Sequence, residues 1–133
     1  MSTGFTPTQS AAILLRDGAV CAMTGSHQWC TGRAEVVNHR LNRGAGGSKL
    51  RNGLSNGCAI CHTCNGLIES DALLAAIARA RGVKLREGED PAQCPIWSPF
   101  FHQWVMLSDN ALTLTGDNDV HARPDWVLGG EQV

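Results

Sequence analysis

The sequence lacks several features that would assign it to a well-known class. No apolar run approaches the ~18 residues needed to cross a membrane. The first 18 residues have no basic n-region and contain Arg16 and Asp17, which is atypical of a secretory signal. There is no internal repeat and no low-complexity segment. We therefore expect an intracellular, cytoplasmic protein with no membrane partner.

The bulk composition is that of a small globular protein. The chain has 133 residues, of which 43% are hydrophobic and 17% charged. This length allows one domain with a modest core, so we expect residues 1–133 to form a single domain. The helices and strands predicted below place it in the α+β class. In an intracellular protein, six cysteines favour metal ligation over disulfides.

The net charge of −1 hides an uneven distribution. Residues 16–86 carry ten Lys or Arg against four Asp or Glu, whereas residues 87–133 carry one Arg against eight acids. A basic body followed by an acidic tail favours local phosphate binding, although scattered solvated charge gives the same totals.

Turn and cap residues predict the order of the segments. Thr6 and Pro7 are typical of a helix start, and Gly18 of its end. Ser70-Asp71 predicts a helix over residues 71–82, but whether residues 61–81 form one bent helix or two is left open. The remaining predictions are a strand over residues 34–39, a Gly-rich loop over residues 42–53, a β-hairpin within residues 91–116 and a flexible tail at residues 117–133.

A Cys-x-x-Cys pair at a predicted helix start indicates half of a zinc site. Cys61 and Cys64 have the spacing of two ligands in a tetrahedral site. Cys21 is expected in the other half, with Cys30 as the fourth ligand and His27 as the alternative. The opposing interpretation is that these cysteines are small buried hydrophobic residues.

His39 is a candidate general base because it ends a predicted strand beside a basic loop. An imidazole with a pKa near ~6.5 can take a proton from water near neutral pH, although a lone histidine is more often structural. The loop has no Walker pattern. Its cations are expected to contact a DNA backbone, the alternative being ordinary solvated charge; they are Arg40, Arg43, Lys49 and Arg51.

These motifs together resemble the HNH nucleases, also called the His-Me finger or ββα-metal group. The resemblance covers about residues 15–70 and lies in RDG (16–18) with Cys21, VVNH (36–39), SN (55–56) and CHTCN (61–65). Its pattern especially resembles that of HNH proteins from phages that infect actinobacteria. Its Cys-x-x-Cys-Asn ending resembles phage junction resolvases of the endonuclease VII type. The resemblance implies a zinc-stabilised ββα-metal core within residues 7–70, with flanking helices.

The resemblance also implies a role for each matching residue. His39 would activate the attacking water, and Asn56 would orient its imidazole. Asn38 and Asn65 would bind one catalytic Mg²⁺ or Mn²⁺. The structural Zn²⁺ would be held by Cys21, Cys30, Cys61 and Cys64. The resemblance implies cleavage or nicking of DNA during DNA processing, packaging or recombination. The implied partner is therefore DNA, and phage packaging proteins are candidate partners. The implied location is the cytoplasm of a host cell.

Two departures from the family pattern weaken the expected Mg²⁺ site. Asn65 replaces the usual last His, and Asn38 replaces an Asp or His. Two neutral amides should hold a hard cation weakly. Glu69 lies four residues after Asn65 on the same helix face and can strengthen the metal site. His62, three residues before Asn65, can also reach that face. The alternative is that Glu69 is an ordinary solvated residue.

Two other functions remain open. The first is a zinc-stabilised nucleic-acid-binding module without catalysis, which the neutral ligands favour. The second is a redox or metal-storage protein that uses the six cysteines. This last function accounts for neither His39, Asn56 nor the basic loop.

Overall fold

The structure is a computed structural model that describes residues 4–42 and 53–109 and the backbone of residues 114–116. Within these ranges the elements are α1 (Pro7–Arg16), β1 (Val36–His39), β2 (Gly57–Ile60), α2 (His62–Ser70), α3 (Ala72–Arg81), β3 (Ile96–Ser98), β4 (Gln103–Leu107) and β5 (Leu114–Gly116). Short 3₁₀ helices lie at Leu54–Asn56 and Pro91–Gln93. The expected α+β class is confirmed. The predicted tail at residues 117–133 lies outside the described residues.

The strands form two small antiparallel sheets. β1 pairs with β2, so that Asn38 lies opposite Cys58 and His39 opposite Gly57. α2 begins two residues after β2 ends. The second sheet has the order β3-β4-β5. The hairpin expected within residues 91–116 is therefore part of a three-stranded sheet.

Helix ends follow the cap residues. The Thr6 hydroxyl accepts from the backbone N–H of Gln9, and the Gln9 side chain accepts from the backbone N–H of Thr6, which closes a capping box at α1. Asp71 ends α2 in extended conformation and its carboxylate caps α3. Residues 61–81 thus contain two helices. Gly82 ends α3 at a φ of 81°, and a Cβ there would collide with the carbonyl oxygen of Pro95.

The core lies between α2, α3 and the two sheets. Its larger apolar side chains are nearly inaccessible to solvent: Met23, Ile60, Ile68, Leu74, Ile77, Val83, Ile96, Val105 and Leu107. Cys21, Cys58, Cys61 and Cys64 belong to the same cluster. No helix in residues 4–42 or 53–109 is both long and apolar enough to cross a membrane.

A buried ion pair joins α1 to the first sheet. The Arg16 guanidinium pairs with Asp17 and donates to the carbonyl oxygens of Leu54 and Gly57 at 3.0 and 2.6 Å. Asp17 in turn accepts from the backbone N–H of Ala59 at 2.9 Å. These partners offset the desolvation cost of burying the Arg16 guanidinium. They also hold the end of α1 against the start of β2.

Candidate functional site

Four cysteines from two separate segments come together at the start of α2. The sulfurs of Cys21, Cys30, Cys61 and Cys64 all lie within 4.8 Å of one another, so the group can hold one metal ion such as zinc. Cys21 and Cys30 come from the loop after α1, Cys61 caps α2 and Cys64 lies in its first turn. Among the described residues, this is the group of His, Cys, Asp or Glu side chains whose ligand atoms lie close enough together to share one metal ion.

Backbone N–H groups donate to two of the four sulfurs, and neighbouring thiols favour the thiolate form of a third. Cys21 Sγ accepts from the N–H groups of Met23 and Cys61 at 3.4 and 3.3 Å, and Cys61 Sγ accepts from the N–H of Cys64 at 3.4 Å. Hydrogen bonds with the thiols of Cys21 and Cys64 lower the pKa of Cys30 to about 2, while the contact with Cys30 raises the pKa of Cys21. The thiolate is the metal-binding form of cysteine, so this arrangement suits a cation.

His27, the alternative fourth ligand, lies beside the cluster. Its Nε2 is 3.0 Å from Cys64 Sγ, and its Nδ1 accepts from the backbone N–H of Trp29 at 3.1 Å. Because Nδ1 accepts, the tautomer that fits this geometry carries its proton on Nε2 and donates it to the sulfur. The geometry therefore favours Cys30 over His27 as the fourth ligand, with His27 as a hydrogen-bond partner of Cys64.

His39 ends β1, and an aromatic ring covers its imidazole. The ring of Phe5 stacks on it with a centroid distance of 4.2 Å and an interplanar angle of 15°. Opposite His39, Gly57 leaves the space that Phe5 and Ile13 need, because a Cβ at Gly57 would meet both side chains. Sequence reasoning missed Phe5, because no local pattern connects residue 5 to residue 39.

Asn56 is fully buried and fixes the backbone just after His39. Its Oδ1 accepts from the N–H of Leu41 at 2.7 Å, and its Nδ2 donates to the carbonyl oxygen of Leu41 at 3.2 Å. Its own carbonyl oxygen accepts from the N–H of Arg40 at 2.7 Å. Asn56 is expected to orient the imidazole of His39, and the bonds described above also hold the chain two residues beyond that histidine.

The turn that carries Asn56 is itself held from several sides. Arg16 binds the carbonyl oxygens on either side of the turn, at Leu54 and Gly57. Asp109 accepts from both the backbone N–H and the hydroxyl of Ser55. The turn is therefore fixed by residues about 40 to 54 positions away in sequence.

Arg40 was expected to contact DNA, and this prediction is wrong. Its guanidinium is fully buried. It donates to four carbonyl oxygens at 2.8 to 3.0 Å, those of Ser55, Gly82, Pro91 and Cys94. Burial lowers the pKa of Arg40 to about 10, so it stays protonated near neutral pH. Arg40 therefore ties together three segments of the fold. The other cations of the expected DNA contact, Arg43, Lys49 and Arg51, lie outside the described residues.

The expected cation ligands lie on two elements. Asn38 is buried, and its Nδ2 donates to the carbonyl oxygen of Val83 at 2.9 Å and to Cys58 Sγ at 3.4 Å. The nitrogen is thus committed to the protein, which leaves Oδ1 as the atom for a metal. Asn65 is half-buried on α2, and Glu69 is exposed one turn further along.

Lys84 is a site residue that sequence reasoning missed. Its ammonium lies 3.0 Å from Glu69 Oε2 and donates to the carbonyl oxygen of His39 and to Asn42 Oδ1, both at 2.9 Å. It therefore joins α2 to the end of β1. The Glu69 side chain in this pair is 57% exposed, so the ion pair is weak and its carboxylate can be recruited by another cation.

No family model, no curated protein and no solved structure matches this chain. The function therefore has to be inferred from the side chains and their geometry.

Proposed function

We propose that the protein is a metal-dependent DNA endonuclease of the HNH type with a structural zinc. The observation that carries this proposal is the succession of β1, β2 and α2. Within it, His39 ends the first strand, Asn56 braces the loop beyond it and Asn65 lies on the helix. The cysteine cluster at the start of α2 supports a zinc ion that would hold this helix against the loop after α1.

In the proposed reaction, water attacks the phosphorus atom of a phosphodiester. The imidazole of His39 takes a proton from that water while the new P–O bond forms and the bond to the 3′-oxygen breaks. The departing 3′-oxygen takes a proton from solvent. Stacking against Phe5 restricts rotation of the imidazole, and the Asn56 brace keeps the backbone beyond it in one position. No covalent enzyme intermediate forms.

The catalytic cation would be bound by oxygen atoms. Asn38 Oδ1, Asn65 and Glu69 are the candidate ligands, and Mg²⁺ or Mn²⁺ bound there would offset the charge that develops on the phosphate oxygens. The fit is partial, because only Glu69 is charged and it is paired with Lys84. We therefore expect weak Mg²⁺ binding and a requirement for millimolar metal.

The test is cleavage of supercoiled plasmid by the full chain in Mg²⁺, Mn²⁺ or EDTA, with the zinc content measured on the same sample. The proposal expects nicked or linear product only with added metal, and one zinc per chain. Intact plasmid with every metal would refute the nuclease.

A second candidate function is a zinc-stabilised DNA-binding module without catalysis. It is favoured by the buried amide of Asn38, whose nitrogen is committed to Val83 and Cys58. It is also favoured by the ammonium of Lys84, which competes with a metal ion for the carboxylate of Glu69. This module would shift DNA on a gel with the same affinity with and without Mg²⁺, and it would leave plasmid uncut.

A further inference from the structure

The segment that follows α3 lies directly along the end of the candidate catalytic strand. Three consecutive contacts join residues 83–85 to residues 38–40: the Val83 carbonyl to Asn38 Nδ2, Lys84 Nζ to the His39 carbonyl, and the Leu85 N–H to the Arg40 carbonyl, at 2.9, 2.9 and 2.8 Å. Whatever binds beside this segment is therefore close to His39.

The same segment lines a groove. It has a volume of about 570 Å³ and lies between α3 and residues 82–95. Its polar lining contains three cationic side chains and one acidic one: Arg79, Lys84, Arg86 and Glu89. Because Lys84 also donates to the His39 carbonyl, one end of the groove adjoins the backbone at the end of β1.

The cations of the groove are arranged for an anionic ligand. Arg79 and Arg86 are exposed, whereas Arg16, Arg40 and Arg81 are buried and bound to carbonyl oxygens. The carboxylate of Glu89 accepts from the backbone N–H of Arg86 at 2.6 Å. Exposed guanidinium groups can bind phosphate oxygens in pairs of parallel hydrogen bonds.

We propose that this groove binds the phosphodiester backbone of a DNA strand and leads it to His39. Arg79 and Arg86 bind phosphates, and Lys84 lies at the end that adjoins the scissile position. These groove residues would make the contact with the DNA backbone that was expected of Arg40, because Arg40 is buried. This role rests on the proposed nuclease function for its substrate, so its test measures binding separately from cleavage.

The experiment measures the affinity of the full chain for a fluorescent DNA duplex by anisotropy, without added divalent metal, from about 50 to about 200 mM salt. The test protein is the double variant Arg79→Gln and Arg86→Gln. The matched control is Arg33→Gln, an exposed arginine that does not line the groove. Zinc content and urea midpoint are recorded for all three proteins, because exposed substitutions should leave both unchanged.

The expected result is weaker binding by the double variant and a slope of log K against log salt that is smaller by about 1.8, or about 0.9 for each lost phosphate contact. Arg33→Gln should keep the wild-type slope. If the double variant and the wild type had the same DNA affinity and the same salt dependence, the proposed role of the groove would be overturned. The nuclease proposal would still stand.

Two further outcomes separate the sources of phosphate and the two proposals. If inorganic phosphate shifts the NMR signals of Arg79 and Arg86 while DNA affinity is unchanged by their substitution, the groove serves a small phosphate ligand and the proposal is overturned. If DNA binding depends on both arginines but plasmid stays uncut with every metal, the groove is supported and the nuclease fails.

Discussion

The side-chain amide of Asn56 binds both backbone groups of Leu41, at 2.7 Å to its N–H and 3.2 Å to its carbonyl oxygen. An amide side chain can bind the N–H and the carbonyl oxygen of one residue in this way because it carries both an acceptor and a donor. The contact joins the turn before β2 to the loop after β1, so the position of His39 depends on a residue 17 positions later.

Asn56→Ala should destabilise the fold and reduce cleavage. The substitution leaves a buried N–H and a buried carbonyl without their partner, which costs about 1 to 3 kcal/mol for each unsatisfied group. Urea unfolding measures the loss, and Gln28→Ala at an exposed position is the control and should stay within about 0.5 kcal/mol of wild type. If Asn56→Ala were as stable as the control, the hydrogen bonds from Asn56 to Leu41 would not stabilise the fold.

Arg40→Lys should be destabilising although it keeps the charge. One ammonium cannot reach the four carbonyl oxygens that the planar guanidinium spans. We expect a loss of about 3 kcal/mol, the scale of a broken buried charge network. Arg33→Lys, at an exposed position outside the groove, is the matched control. If Arg40→Lys unfolds at the wild-type urea concentration but weakens DNA binding, Arg40 is a DNA contact after all.

Two glycines in the same region should respond in opposite directions to alanine. Gly82→Ala forces a left-handed residue and a collision with Pro95, so it should cost more than about 1 kcal/mol. Gly66→Ala lies inside α2 with open space around its Cβ and should gain about 0.5 to 1 kcal/mol. Thermal unfolding of the two variants checks the pair, and a loss at Gly66 equal to that at Gly82 would contradict the description of α2.

Cys30→Ser should remove most of the bound metal, whereas His27→Ala should retain it. Cys30 Sγ is one of the four converging sulfurs, whereas His27 is outside that group and forms a hydrogen bond with Cys64 Sγ. Cys94→Ser is the control, because Cys94 lies outside the cluster. Metal analysis after dialysis measures the outcome. Retention of one zinc by Cys30→Ser, with loss in His27→Ala, would assign the fourth ligand to histidine.

The parts that sequence predicted are local in the chain. Thr6-Pro7, Asp71 and Gly82 act on the helix next to them, so their positions alone locate the helix ends. Cys61 and Cys64 are three residues apart on one helix start, which is why their convergence could be expected.

The parts that sequence missed depend on distant partners. Arg40 looked like one more cation of a basic loop, because nothing near it indicates that its acceptors lie 15 to 54 residues away. Lys84 reaches the His39 carbonyl across 45 positions. Such contacts leave no periodic pattern, since one side chain and one carbonyl oxygen are enough to form them.

The central claim is tested most directly by plasmid cleavage with His39→Ala and His102→Asn at equal zinc content. His102 lies in the turn before β4 at a φ of 57°, which asparagine tolerates, so it is a histidine control away from β1. We predict metal-dependent cleavage by wild type and by His102→Asn, and a loss of about 100-fold or more in His39→Ala. Equal cleavage by wild type and His39→Ala would contradict the assignment of His39 as the base.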